Sequence, residues 1–209
     1  MRMMKYLLCF ILILFLTACN LQTTSSINQQ NNKIAANENM QLGLAYLEQG
    51  DRTRAKYKLL LALQEDQNSA QVHDAMAYYL EMTDDATQAQ MHYLRAIQLA
   101  PQSGAVHNNY GVFLCHIGQF EQSEKEFLVA VNDSNYLNTA KAYENAGLCA
   151  QQIPDIKKAE LFYTNAIKQD PHLALAWYEL AQISVDEGDR QQARQEIDNY
   201  ENLVQQNNK

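Results

Sequence analysis

Seven glycines, three prolines and one tryptophan are few for 209 residues. With so little glycine there is no glycine-rich phosphate loop and no nucleophile elbow. The prolines stand at Pro101, Pro154 and Pro171, so long helices are permitted across most of the chain. Four cysteines occur without a CxxC, which disfavours a catalytic redox pair. No pair of carboxylates stands out from the charged surface. These absences argue against an enzyme, and no cofactor, metal or small-molecule substrate is expected. Basic residues are outnumbered 16 to 24, giving a net charge of −8. Such a chain repels nucleic acid and offers no polybasic strip to a phospholipid headgroup layer. The hydrophobic run Leu7–Leu16 has ten residues, about 15 Å as a helix, too short to span a bilayer.

That run has another meaning. Arg2 and Lys5 precede it and small residues follow it, the pattern of a secretory signal peptide over residues 1–18. The tetrapeptide Leu16-Thr17-Ala18-Cys19 resembles the lipobox of bacterial lipoproteins, which implies acylation of Cys19. The other reading is an ordinary signal peptide with a chance cysteine. Two or more acyl chains anchor stably, at about 0.8 kcal/mol per buried methylene. Asn20 is not the Asp that retains such lipoproteins in the inner membrane, so the resemblance implies the periplasmic face of the outer membrane. Residues 20–33, NLQTTSSINQQNNK, are polar, nearly uncharged and free of aromatics. They read as a flexible tether, with Cys19 and the tether together spanning 19–34. Without the two positive charges of residues 1–18 the net charge becomes −10.

Residues 35–209 carry a period. Gly43, Ala77, Gly111, Gly147 and Ala181 recur at intervals of 34 or 36 residues. Twelve residues after each come Ala55, Ala89, Ser123, Ala159 and Ala193, and seven further on Ala62, Ala96, Ala130, Ala166 and Tyr200. Thirteen of these fifteen are Gly or Ala, where their abundance would supply about two by chance. A 34-residue period of this kind resembles the tetratricopeptide repeat, a helix–turn–helix unit. The repeats fall at 36–69, 70–103, 104–137, 140–173 and 174–207, with Asn138 and Thr139 inserted. The expected fold is all-α, a right-handed superhelix of about five such units. Large residues should fill pockets between helices: Leu42, Met76, Tyr110 and Leu180 on the first (A) helices, and Leu59, Tyr93, Phe127, Tyr163 and Ile197 on the second (B) helices. Gly50, Gly118 and Gly188 mark the intra-repeat turn, with Pro154 at the equivalent place in the fourth repeat.

The period accounts for most tempting side chains. His73 and His107 share a repeat position with Tyr143 and Trp177, a bulky packing site, and have no chelate spacing. His92, His116 and His172 read as solvated or satisfied. The A helices line the concave face in such arrays. One inward series is Met40, Asp74, Asn108, Glu144 and Tyr178, and the next is Leu44, Tyr78, Val112, Leu148 and Gln182. Asn108 is expected to look into the groove, beside an apolar strip of Leu44, Tyr78, Val112 and Leu148, with Tyr178 at its end. An uncovered strip of this kind marks an interaction site for a peptide, although mutual packing of A helices is the blander reading. Cys115 and Cys149 lie at nearby heights on the A helices of neighbouring repeats. A disulfide and two buried free thiols both remain open.

The lipobox, the tether and the segments NNYGVFLC (108–115), FEQSEKEFLVAV (120–131) and AYENAGLCA (142–150) together resemble the type IV pilus biogenesis/stability lipoproteins, the PilF/PilW pilotin family. The resemblance implies a non-enzymatic lipoprotein that escorts the pilus secretin to the outer membrane and promotes its assembly into a ring. One departure is that the chain stops after the fifth repeat, whereas longer relatives carry a further one. The alternative is a repeat scaffold for another envelope machine, such as outer-membrane protein insertion or cell-wall synthesis.

Overall fold

The computed structural model describes residues 28–153 and 155–207. The signal segment, Cys19 and the start of the tether lie outside these residues, as does Pro154. Ten helices form among the described residues, in five antiparallel pairs. They are α1 (28–48) with α2 (Arg52–Glu65), α3 (Ala70–Glu81) with α4 (Ala86–Leu99) and α5 (Gly104–His116) with α6 (Phe120–Asn132). The last two pairs are α7 (Thr139–Ala150) with α8 (Ile156–Gln169) and α9 (Ala174–Glu187) with α10 (Arg190–Asn207). None of them is long and apolar enough to cross a membrane.

A short code builds each pair. The A helix ends in a left-handed residue at the same repeat position: Gly50, Gly118 and Gly188 have φ of 76–82°. Asp84 holds that position in the second repeat with φ 64°, a conformation a Cβ disfavours. The next residue caps the B helix. Asp51, Asp85, Asp155 and Asp189 accept hydrogen bonds from the backbone N–H groups of Arg54, Gln88, Lys158 and Gln192 at 2.9–3.2 Å.

Small residues then let the paired helices close. A Cβ on Gly147 would stand 2.6–2.8 Å from three ring carbons of Tyr163, and one on Gly111 2.9 Å from Phe127. Ala55, Ala62, Ala89, Ala96, Ala130, Ala159 and Ala166 are wholly buried. Of the large residues assigned to the pockets, Met76, Tyr110, Leu180, Leu59, Tyr93, Phe127 and Tyr163 are buried. Leu42 and Ile197 are instead 45% and 38% exposed. Position explains both. Tyr110 reaches back to Tyr93 of the preceding repeat, with ring centroids 5.7 Å apart. Among the described residues no repeat precedes Leu42 and none follows Ile197.

Two further departures concern the joints. Residues 28–33, read as tether from their polarity, are helical: the segment lacks Gly and Pro, and buried Ala36 anchors α1 just beyond it. Residues 133–138, around the insertion, fold back on the third repeat. Gly104 N–H donates to Asp133 Oδ2 at 2.8 Å, and the Tyr136 side chain covers Gly104.

Candidate partner-binding groove

The helices are not spaced alike in the two layers. α3 packs on α5, and α5 on α7, whereas the B helices make no comparable contact with each other. The tighter A layer is therefore the inside of the curve, and its exposed side chains form the groove.

The sequence-selected residues divide into three groups. Val112 and Leu148 are half-buried and face a common cleft of about 500 Å³, together with Cys115, His116, Phe120 and Asn145. Cys115 and Cys149 are bridged in the wall of this cleft, Cα–Cα 5.8 Å, tying α5 to α7. Ser123 backs the bridge: its hydroxyl donates to the Gly111 carbonyl at 2.7 Å and lies 3.3 Å from Cys149 Sγ. Tyr78 and Tyr178 are each 42% exposed, away from the cleft, and the ring of Tyr178 lies 5.5 Å from that of Tyr200. Leu44 packs into the core between the first and second repeats with Leu59 and Met76.

Asn108 does not look into open groove; it is buried between A helices. Asn145 Nδ2 donates to its Oδ1 at 3.0 Å, Asn108 Nδ2 donates to Asn109 Oδ1 at 3.2 Å, and Asn109 Nδ2 donates to Asp74 Oδ2 at 2.7 Å. This chain of amides runs from α7 through α5 to α3. Burial pushes the Asp74 carboxyl up to about 7, against the hydrogen bond from Asn109, and its second oxygen has no partner. Glu144, at the equivalent place in the fourth repeat, is buried and held by Lys141. The inward series thus serves largely to join neighbouring A helices.

The histidines follow the repeat as well. His73 Nε2–H donates to the Gln67 carbonyl at 3.1 Å, His107 Nε2–H to that of Pro101 at 3.1 Å, and Trp177 Nε1–H to that of Pro171 at 2.9 Å. The other ring nitrogen meets the B helix of its own repeat: His92 Nδ1 at 3.0 Å from His73 Nδ1, and Glu126 Oε2 at 2.5 Å from His107 Nδ1. The Glu126 carboxylate raises the pKa of His107 above the ordinary histidine value, whereas burial lowers those of His73 and His92. No repeat position or motif signals these pairs, nor His116 and Asn145 in the cleft, because each depends on which helix faces which.

Known proteins match this arrangement. The tetratricopeptide-repeat family model matches residues 92–125. An uncharacterized protein of Haemophilus influenzae is 40% identical over 134 residues, 64% of this chain and 73% of that one. The type IV pilus assembly protein PilF of Pseudomonas aeruginosa is 29% identical over 159 residues, 76% of this chain and 63% of PilF. A solved structure of Pseudomonas aeruginosa PilF superposes with a TM-score of 0.78 at 27% identity, covering 83% of this chain and 78% of that one. The chain is a tetratricopeptide-repeat protein similar to PilF. PilW, described as a widely conserved type IV pilus biogenesis factor, shares the fold with a TM-score of 0.73 at 24% identity, covering 81% and 78% of the two chains. The chain spans a little under two thirds of the PilF sequence it matches. As a tetratricopeptide-repeat array it is a repeat scaffold for protein–protein interaction.

Proposed function

We propose that this chain is an outer-membrane lipoprotein, anchored through Cys19 at the periplasmic face, that acts as a pilotin for the type IV pilus secretin. The observation that carries the reading is the likeness to PilF, in sequence over 76% of the chain and in fold at a TM-score of 0.78. The Leu16–Cys19 lipobox supports the anchor, and the cleft beside Val112 and Leu148 supports a bound segment. Lipid at Cys19 supplies the address and the residues before α1 set the reach. The groove holds an apolar stretch of a secretin subunit, hiding it in transit and raising subunit concentration at the membrane, which promotes ring assembly. Nothing in this mechanism makes or breaks a covalent bond in the partner.

Polar substitutions at Tyr78, Val112 or Leu148 test the groove. They leave the array folded, because none of the three is fully buried. Each is expected to lower secretin recovery on the immobilised lipoprotein by about tenfold, the scale of one lost apolar anchor of about 1.4 kcal/mol. Undiminished recovery by folded variants at all three positions removes the groove from the account.

A further inference from the structure

The net charge of the chain hides a division between its layers. The A helices carry eight carboxylates and only two lysines, Lys33 and Lys141, whereas the B helices carry eleven basic residues against eight carboxylates. The division is sharpest on α2, where Arg52, Arg54, Lys56 and Lys58 face one acid, Glu65. Arg54 is committed to Asp51 at 2.5 Å and to the Tyr46 ring at 4.5 Å, and Lys58 donates to Asn39 at 2.9 Å. Arg52 and Lys56 are exposed and make no ion pair among the described residues. Beside them on the outer side stand Tyr57 and Leu60, 61% and 50% exposed, and on α4 Met91 and Leu94, 59% and 44% exposed. The overall acidity argued against a basic strip; alternation of A and B helices sorts charges that composition averages.

We propose that this outer face of α2 and α4 rests on a bilayer containing anionic phospholipid. Cations beside exposed aromatic and aliphatic side chains suit the headgroup boundary, where ammonium and guanidinium groups meet phosphate and the apolar side chains enter the acyl edge. The length of chain before the array fits that occupant. Asn39 is hydrogen-bonded to Lys58 and Glu65, and from it α1 runs on eleven residues, about 16 Å, to residue 28, beyond the end of α2. The nine residues 19–27 extend at most about 30 Å further. A lipid on Cys19 therefore reaches the plane of the outer face. With the B layer down, the A layer and its cleft turn away from the lipid, toward the partner. The proposal rests on the lipoprotein reading only for this reach.

The test reconstitutes the full chain with Tyr57→Trp in vesicles of phosphatidylcholine, with and without phosphatidylglycerol, and reads quenching by bromine-labelled acyl chains. The parent chain supplies the constant contribution of Trp177. Quenching at position 57 is expected with phosphatidylglycerol, and is lost in its absence, at about 0.5 M salt, and in Arg52→Glu/Lys56→Glu. Both charge reversals lie on exposed positions, and circular dichroism checks that the helices persist. Absent quenching, or quenching indifferent to lipid charge and to positions 52 and 56, overturns the proposal. So does concentration-dependent self-association abolished by the same reversals without lipid contact, which makes a second copy the occupant. Mass spectrometry of Cys19 reads the anchor separately. An unacylated chain that still shows lipid-dependent quenching sinks the anchor and keeps the face; an acylated chain without quenching does the reverse.

Discussion

Replacing both Cys115 and Cys149 with serine opens the bridge between α5 and α7. The two residues are 34 apart in sequence, so the bridge closes a loop of about that length in the unfolded chain. Chain-entropy arithmetic for such a loop gives a stabilisation of about 3.8 kcal/mol at 25 °C. Two features reduce the loss. A serine at 149 keeps the Ser123 hydroxyl within hydrogen-bonding reach, and the Asn145–Asn108 amide bond still joins the two helices. The expected net loss is about 3 kcal/mol. At a urea dependence of about 2 kcal/mol per molar, the unfolding midpoint falls by about 1.5 M. Reductant added to the wild type should reproduce the shift, and added to the double variant should do nothing. A double variant with the wild-type midpoint, or one that still responds to reductant, refutes the reasoning. Repeat arrays lose cooperativity when one interface weakens. The loss should therefore appear first in amide exchange of α5–α8, with α1–α4 retaining their protection.

Gly147→Ala should lower stability by about 1–2 kcal/mol in the same urea assay, since the clash with the Tyr163 ring outweighs about 1 kcal/mol of helix propensity; a gain would mean the close approach is not real. Asp84→Gly should raise stability by about 0.5–1 kcal/mol, because φ 64° strains a residue with a Cβ and glycine adopts it freely; no gain on thermal unfolding contradicts that reading of the turn. The hydrogen bond to Glu126 raises the pKa of His107 above its ordinary value, so its contribution is fully present below the unfolded-state pKa near 6.5 and fades as pH rises through the raised folded value. Subtracting the pH–stability curve of His107→Gln from that of the wild type should show this decline above about pH 6.5. A difference that grows with pH would contradict the pairing.

Much of the array is legible in the sequence because one period fixes several physical requirements at once. A small residue every 34 residues marks each close helix contact, and a glycine marks the turn between paired helices. Asp84 shows how far such a code bends: the turn keeps its left-handed residue when glycine is lost. The candidate site is less legible. Val112 and Leu148 could be paired from their repeat positions, but Asn108 could not be assigned its neighbours, because Asn145 reaches it from the A helix of the next repeat. Leu42 and Ile197 followed the period in type and left it in burial, since a period does not contain its own ends. Charge was misleading for a related reason: a net of −8 conceals a basic α2.

The proposed role stands or falls most directly on recovery of partners from envelopes solubilised in detergent, with the lipoprotein as bait and mass spectrometry as readout. The account predicts the type IV pilus secretin among the specific partners, at reduced yield with the groove variants. Recovery of protein-insertion or cell-wall components with no secretin would contradict it, leaving the repeat scaffold in place and the partner wrongly assigned.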